Sequence, residues 1–134
     1  MKNISLVLVV LLVGCSTKEQ SGGYVTTASG LQYRIIEGGT GASAADGDEV
    51  LLFETTSYRD GTVLYSNENT GSPVKVRIGG NQATAAVDEG LRGMQVGEIR
   101  ELVAPPELVR RTSYPPNVSP DSTLVIRLIL HKIL

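Results

Sequence analysis

The side chains that most often carry out catalysis are few in this chain and lie far apart. There is one histidine, His131, near the C-terminus, and one cysteine, Cys15. A histidine-based triad or a zinc site has no second partner of the right type for His131, so we expect an ordinary histidine in a surface or edge strand. The pair Gly79-Gly80 lacks the lysine of a phosphate-binding loop. The sequence therefore predicts no metal site, no cofactor, and no covalent or phosphoryl chemistry.

The charged residues give no sign of a nucleic-acid partner. The formal net charge is -2 and the isoelectric point is near 5.4, which argues against a surface for nucleic acid. The carboxylates are scattered along the chain. Asp88 and Glu89 fall in a helix candidate but off its apolar side, so we expect them to form a solvated helix face.

The N-terminal residues have the pattern of a targeting segment. Lys2 supplies a positive charge, and residues 4–13 are apolar except for Ser5. Ten residues are too few for a membrane-spanning helix, which needs about 20, but they suit the apolar core of a signal peptide. Residues 1–14 are therefore interpreted as a signal peptide. The cysteine that follows cannot form an internal disulfide, because it is the only one.

Leu12-Val13-Gly14-Cys15 resembles the lipobox of bacterial lipoproteins. That resemblance implies cleavage before Cys15 and a lipid on Cys15, which would attach the protein to a membrane. Ser16, where an aspartate would retain such a protein at the inner membrane, implies the outer membrane of the cell envelope, on the side facing the periplasm. Residues 15–29 have no apolar periodicity at their start and contain glycines, so we expect a lipidated, flexible tether.

The remaining residues predict one α+β domain. Alternating or apolar runs predict strands at residues 31–35, 50–57, 62–65, 74–78, 99–104 and 123–133. Residues 38–48 are interpreted as a loop, and Asp60-Gly61 as a tight turn. Residues 83–94 are the one helix candidate, because Val87, Leu91 and Met94 share a face. The expected fold is an antiparallel sheet of about five strands with one short helix against one side.

The order and spacing of several short motifs resemble the FKBP-type peptidyl-prolyl isomerases. The motifs are Ser29-Gly30-Leu31-Gln32-Tyr33, Gly38-Gly39-Thr40-Gly41, Asp60-Gly61-Thr62-Val63, Glu89-Gly90-Leu91, Pro105-Pro106-Glu107-Leu108 and Thr123-Leu124-Val125. The resemblance implies an FKBP-like domain over residues 30–134 that rotates X-Pro bonds in proline-containing polypeptides. Such a rotation needs no nucleophile and no metal, because its barrier of about 18–20 kcal/mol comes from amide resonance.

The resemblance also implies a set of pocket positions, at which nearly every aromatic residue of the family is replaced. Val87 stands where the family has the tryptophan of the pocket floor, and Arg110 where it has a tyrosine of the far wall. The full set implied for the catalytic pocket is Glu54, Leu64, Tyr65, Val74, Ala83, Thr84, Val87, Arg110 and Ile126. In the loop that follows, either Ser119-Pro120 or Tyr114-Pro115-Pro116-Asn117 can match the Pro-Pro turn of the family.

Two functions are compatible with this pocket. The first is a prolyl isomerase of the cell envelope with weak activity, which membership of the family favours. The second is an FKBP-like lipoprotein with little catalysis, serving as a peptide-binding or structural module, which the loss of aromatics and the charge of Arg110 favour. A proline-isomerisation assay separates them.

One hydrogen bond is predicted within the pocket. Glu54 and Tyr65 stand where the family has a tyrosine and an aspartate that bond to each other, so the phenol and the carboxylate have exchanged positions. We expect the Tyr65 hydroxyl to donate to the Glu54 carboxylate, since a charge-assisted bond would compensate partial burial of Glu54. Exposure of both side chains to solvent and pairing of Glu54 with Arg110 are the alternatives.

Overall fold

The computed structural model describes residues 23–134. The predicted signal peptide, Cys15 and the first part of the predicted tether lie outside these residues. The described elements are β1 Val25–Thr26, β2 Gln32–Glu37, β3 Thr40–Ser43, β4 Glu49–Tyr58, β5 Val63–Ser66, β6 Val74–Arg77, α1 Ala85–Leu91, β7 Gln95–Val96, β8 Ile99–Ala104, a 3-10 turn Pro106–Leu108, and β9 Leu124–Ile133. Between residues 23 and 134, no helix has the length and apolarity needed to cross a bilayer.

Seven of the strands form one antiparallel sheet, so the predicted α+β class is confirmed. The strand order is β1-β2-β8-β9-β4-β5, and β6 pairs with the other half of β4 on the same side as β5. The two long strands, β4 and β9, are paired along almost their whole length, with one register shift between Leu51 and Leu52. Strands β3 and β7 form a separate two-stranded sheet.

Alternation along the strands decides which side of the sheet is buried. In β9, Leu124, Ile126, Leu128 and Leu130 are buried, whereas the residues between them are partly exposed. The same period of two applies in β8, where Arg100, Leu102 and Ala104 point inward. Helix α1 packs on this buried side through Val87 and Leu91, and Met94 just beyond it is also fully buried. The apolar face predicted for the helix is therefore its packing face.

A buried ion pair lies under the C-terminal end of α1. The Arg100 guanidinium donates to the Glu98 carboxylate at 2.7 Å, and both side chains are less than one tenth exposed. Arg100 also donates to the main-chain carbonyls of Gly90 and Arg92, each at 3.3 Å, and its guanidinium lies 4.9 Å from the centre of the Tyr33 ring. Arg100 thus connects the sheet to helix carbonyls that have no partner within the helix.

Three expectations about single segments were wrong. The helix spans only Ala85–Leu91, shorter than residues 83–94, because the glycines near its end leave helical geometry, with Gly93 at φ +82°. Residues 38–48 contain strand β3 as well as loop, paired with β7. The predicted tether ends earlier than residue 29, because β1 already pairs with β2 through Val25 and Thr26.

The expectation of a solvated face at Asp88 and Glu89 was also wrong. Asp88 is only 8% exposed, and its Oδ1 atom has no hydrogen-bond partner among the described residues. Glu89 accepts hydrogen bonds from the hydroxyls of Thr27 at 2.5 Å and Ser29 at 2.6 Å. The segment before β2 therefore covers the side of α1 that helix periodicity alone would leave in water.

His131 lies on β9 with its side chain exposed, in the surface position expected for it. Its ring packs edge-on against Phe53, with 5.5 Å between the ring centres.

Candidate active-site cavity

A cavity of about 630 Å³ opens at the N-terminal end of α1. Its walls come from the inward side of β4, from β5 and β6, from the start of the helix, and from the loop that follows the 3-10 turn. The apolar lining residues are Leu64, Tyr65, Val74, Val76, Ala83, Val87, Pro115, Val118 and Leu124. The polar ones are Glu54, Thr56, Asn81, Gln82, Thr84, Arg110, Arg111, Thr112, Ser113 and Asn117. The lining is therefore mixed, with apolar side chains beside several polar and charged ones.

Eight of the nine predicted pocket residues line this cavity: Glu54, Leu64, Tyr65, Val74, Ala83, Thr84, Val87 and Arg110. Ile126 does not line it. It is only 2% exposed and lies in the core on β9, paired with Leu102 on β8 and Thr56 on β4. That the eight residues form a functional site remains a prediction, but they do meet around one space.

Several lining residues were not predicted from the sequence. Thr56 and Val76 could have been found from strand alternation, because each lies two residues from a predicted pocket position on the same strand. The loop residues from Arg111 to Val118 could not, because no periodic signal fixes their path. The loop is held near β5 by the Asn117 amide, which donates to the Leu64 carbonyl at 3.4 Å. The Tyr58 hydroxyl adds a bond to the Asn117 carbonyl at 2.8 Å.

The hydrogen bond predicted between Tyr65 and Glu54 is not present. Glu54 instead accepts from the Thr56 hydroxyl at 2.9 Å, and Tyr65 is 48% exposed. The strand register explains this, because Tyr65 pairs directly with Thr56, and Thr56 lies two residues from Glu54 on the same strand. The nearer hydroxyl therefore takes the carboxylate. Among the described residues, Arg110 makes no ion pair with Glu54 either.

Burial sets the electrostatic character of Glu54. It raises the pKa of the Glu54 carboxyl above its usual 4.5, and the Thr56 hydrogen bond and the charge of Arg111 only partly oppose that rise. A carboxyl whose pKa is raised by folding stabilises the folded state below the unfolded pKa and loses that contribution as pH rises through the folded pKa. The charged form of Glu54 is therefore a cost to stability at neutral pH.

We expect Glu54→Gln to be more stable than the wild type at pH 7 and equally stable near pH 4. Glutamine keeps an oxygen that can accept from Thr56 and carries no charge to desolvate. Urea midpoints at the two pH values measure the effect. Glu49→Gln, on the same strand, is the matched control. It should lower stability at pH 7, because a hydrogen bond from Arg77 lowers the pKa of Glu49 and its charged form is therefore favourable. A Glu54→Gln protein less stable at pH 7 would contradict this account.

The structure is an α+β domain in which an antiparallel sheet packs against one short helix. The cavity lies between the start of that helix and the loop after the 3-10 turn. Residues 41–131 match the FKBP-type peptidyl-prolyl cis-trans isomerase family, and the chain belongs to that family. The resemblance seen in the motifs is thereby confirmed.

Individual relatives agree with this assignment. The chain is 33% identical over 118 residues to the "Outer membrane protein MIP" of Legionella longbeachae, covering 86% of this chain and 49% of that protein. It is 32% identical over 103 residues to the FKBP-type isomerase FkpA of Escherichia coli K12, covering 77% of this chain and 37% of the relative. The chain thus spans half or less of the length of these two proteins.

Solved structures show the same fold. The crystal structure of FkpA from Escherichia coli superposes with a TM-score of 0.74 at 30% identity, over 85% of this chain and 53% of that one. The crystal structure of AtFKBP13 gives a TM-score of 0.72 at 24% identity, over 83% of this chain and 98% of that one. The FKBP fold predicted from the sequence is therefore confirmed.

Proposed function

We propose that this protein is a peptidyl-prolyl cis-trans isomerase that acts on X-Pro bonds of polypeptides. The observation that carries the proposal is the cavity at the start of α1, which is partly lined by apolar side chains, in a chain that belongs to the isomerase family. Its volume of about 630 Å³ falls within the range of roughly 300–1,000 Å³ typical of ligand pockets. A proline ring and the preceding residue fit such a space.

The chemistry asked of the cavity is modest. The planar X-Pro amide has charge separated between its oxygen and nitrogen, and the twisted form has less, so a water-poor apolar surface favours the twisted form. Leu64, Val74 and Val87 supply that surface here. No side chain has to take up or release a proton. Even modest acceleration is useful, because the uncatalysed exchange takes roughly 10–100 s.

We expect the purified full chain to accelerate isomerisation of a Leu-Pro peptide, but far less than relatives with aromatic pockets do. Aromatic side chains bury the most surface in such pockets, and the valine at position 87 presents a much smaller apolar surface to the cavity. Val87→Trp should raise the rate roughly tenfold, the effect of about 1.4 kcal/mol of added transition-state contact. Exchange between cis and trans signals in nuclear magnetic resonance measures the rate without an auxiliary protease.

The matched control is Val63→Trp, which adds the same side chain to an exposed position of β5 that does not line the cavity. Its rate should equal that of the wild type. A wild-type rate equal to that of aromatic relatives would show that the aromatics are dispensable. Ile126→Phe would not test the same effect, because Ile126 does not line the cavity.

A second candidate function is peptide binding with little catalysis. Two charged residues in the cavity walls, Glu54 and Arg110, favour this function. They replace apolar surface that would otherwise contact a bound proline, so they weaken the apolar environment that catalysis needs. This function is supported if the protein binds the peptide measurably but leaves the isomerisation rate equal to the uncatalysed rate.

We also propose that the protein is a lipoprotein of the outer membrane, attached through Cys15 and separated from the membrane by the residues that follow. The support is the signal-peptide pattern of residues 1–14 and the name of the Legionella relative, which describes that relative as an outer membrane protein. Two or more acyl chains are needed for stable attachment, since each buried methylene contributes only about 0.8 kcal/mol.

Metabolic labelling with a fatty acid tests the anchor. The wild-type chain should incorporate the label, and Cys15→Ser should not. A Ser16→Ala chain, changed at the neighbouring position, should incorporate as much as the wild type. Equal labelling of the Cys15→Ser chain would rule out attachment at this residue.

A further inference from the structure

Two arginines at the cavity differ from most others in the described chain. The arginines at positions 34, 77, 92, 100 and 127 each form an ion pair with a carboxylate. The guanidinium groups of Arg110 and Arg111 form no ion pair and no hydrogen bond among the described residues. Both side chains are exposed and line the cavity. Of the described arginines, only Arg59 shares this unpaired state, and it does not line the cavity.

The same two arginines also line a second, smaller cavity. It has a volume of about 340 Å³ and is formed by Pro106, Glu107, Arg110, Arg111, Tyr114, Pro120 and Asp121. The guanidinium groups therefore stand between two adjoining spaces. A side chain next to a proline held in the larger cavity can therefore reach these two arginines.

Contacts of the neighbouring residues fix the main chain on both sides of Arg110 and Arg111. The main-chain amide of Arg111 donates to the Tyr114 hydroxyl at 3.3 Å, which closes the turn that follows the arginines. The preceding residue, Val109, is only 4% exposed and fixes the loop to the core. The chain positions flanking the pair are thus held while the two charged ends are unpaired.

We infer that Arg110 and Arg111 select substrates with a carboxylate side chain next to the proline. A guanidinium group remains charged and offers parallel donors that match the two oxygens of a carboxylate. This inference rests on the proposed function in that it names the substrate class of the same cavity.

The carboxylates near the pair do not reverse this preference. Glu54, on the opposite wall, is bonded to Thr56, and its burial disfavours the charged form. Glu107 and Asp121 face only the smaller cavity. At the edge of the larger cavity, two permanent positive charges therefore face one carboxylate that folding has made less acidic.

The test uses short peptides labelled with a neutral dye that carry Glu, Gln or Lys directly before or directly after one proline. Binding to the purified full chain is followed by fluorescence anisotropy. At one of the two positions, the Glu peptide should bind roughly three- to fivefold more tightly than the Gln peptide, the size expected for exposed ion pairs. The Lys peptide should bind most weakly. The difference between Glu and Gln should shrink as salt is raised to 0.5 M.

Two variants decide whether the arginines cause the preference. The doubly substituted chain with Arg110→Gln and Arg111→Gln should bind the Glu and Gln peptides equally. Arg59→Gln removes the same charge from an unpaired arginine outside the cavity and should keep the wild-type preference. Equal binding of Glu and Gln peptides by the wild type would overturn the inference. A preference that survives in the double variant, or that disappears in Arg59→Gln, would overturn it too.

Isomerisation rates measured on the same peptides keep the two proposals separate. Acceleration without any charge preference means that the selectivity is wrong and the isomerase function stands. A charge preference in binding without acceleration means that the selectivity is correct and the isomerase function is wrong.

Discussion

Arg100→Ala is expected to lower the free energy of unfolding by about 3–5 kcal/mol, the usual loss when one partner of a buried ion pair is removed. The change leaves the Glu98 carboxylate buried without its cation, since that side chain is only 5% exposed. It also removes the donors to the Gly90 and Arg92 carbonyls at the end of α1. Urea unfolding followed by circular dichroism measures the loss.

Two further proteins test the cause. Arg34→Ala removes an arginine whose side chain is 40% exposed in its ion pair with Glu101, and it should cost no more than about 1 kcal/mol. A double variant with Arg100→Met and Glu98→Met should recover much of the loss, because no charge is then left buried. An Arg100→Ala chain as stable as Arg34→Ala would mean that the pair under the helix contributes little.

Gly39→Ala is the second change with a large expected effect, a loss of about 3 kcal/mol or more from overpacking. A methyl group at this position would lie 2.6 Å from the Val96 carbonyl oxygen and 2.8 Å from both the Gln95 carbonyl oxygen and the Glu98 amide nitrogen. These are main-chain atoms of β7 and of the turn after it, so no side chain can rotate to make room. The turn itself would have to move, and it carries Glu98 of the buried ion pair.

The neighbouring glycine provides the control. A methyl group at Gly38 would meet nothing within 4 Å, so Gly38→Ala should change stability by less than about 1 kcal/mol and in the stabilising direction. Thermal unfolding of the two variants side by side gives the comparison. Similar melting temperatures for both would show that the turn after β7 yields easily.

Strand alternation made the central sheet predictable, and the strand at residues 99–104 was predicted with the bounds that the structure shows. Strand β3 was not predictable in the same way. Its sequence Thr-Gly-Ala-Ser is small and exposed, so the only reason for it to be extended is its pairing with β7, more than fifty residues later. Local pattern carries no information about such a partner.

The side of the helix that is buried depended on tertiary structure. Periodicity placed Asp88 and Glu89 off the apolar face, but it could not show that Asp88 is buried or that the hydroxyls of Thr27 and Ser29 bond to Glu89. Pairing register had the same effect on Glu54, because a hydroxyl on its own strand lies closer than the phenol of Tyr65. Ile126 shows a third limit. The position on β9 was predicted from the family, but the smaller side chain ends inside the core instead of reaching the cavity.

The early attachment of residues 24–30 bears on how far the domain can extend from a fixed point. This segment is held by the short β1 ladder, by the Tyr24 hydroxyl on Glu101, and by the hydroxyls of Thr27 and Ser29 on Glu89. Each of these hydrogen bonds to a carboxylate contributes at most about 1.5–3 kcal/mol, whereas Leu31 just beyond them is fully buried. A pulling force on the N-terminus can therefore detach residues 24–30 from the sheet and the helix while Leu31 and the core stay in place. Seven released residues can span up to about 23 Å when fully extended, so their release would let the rest of the domain move farther from any point that holds its N-terminus.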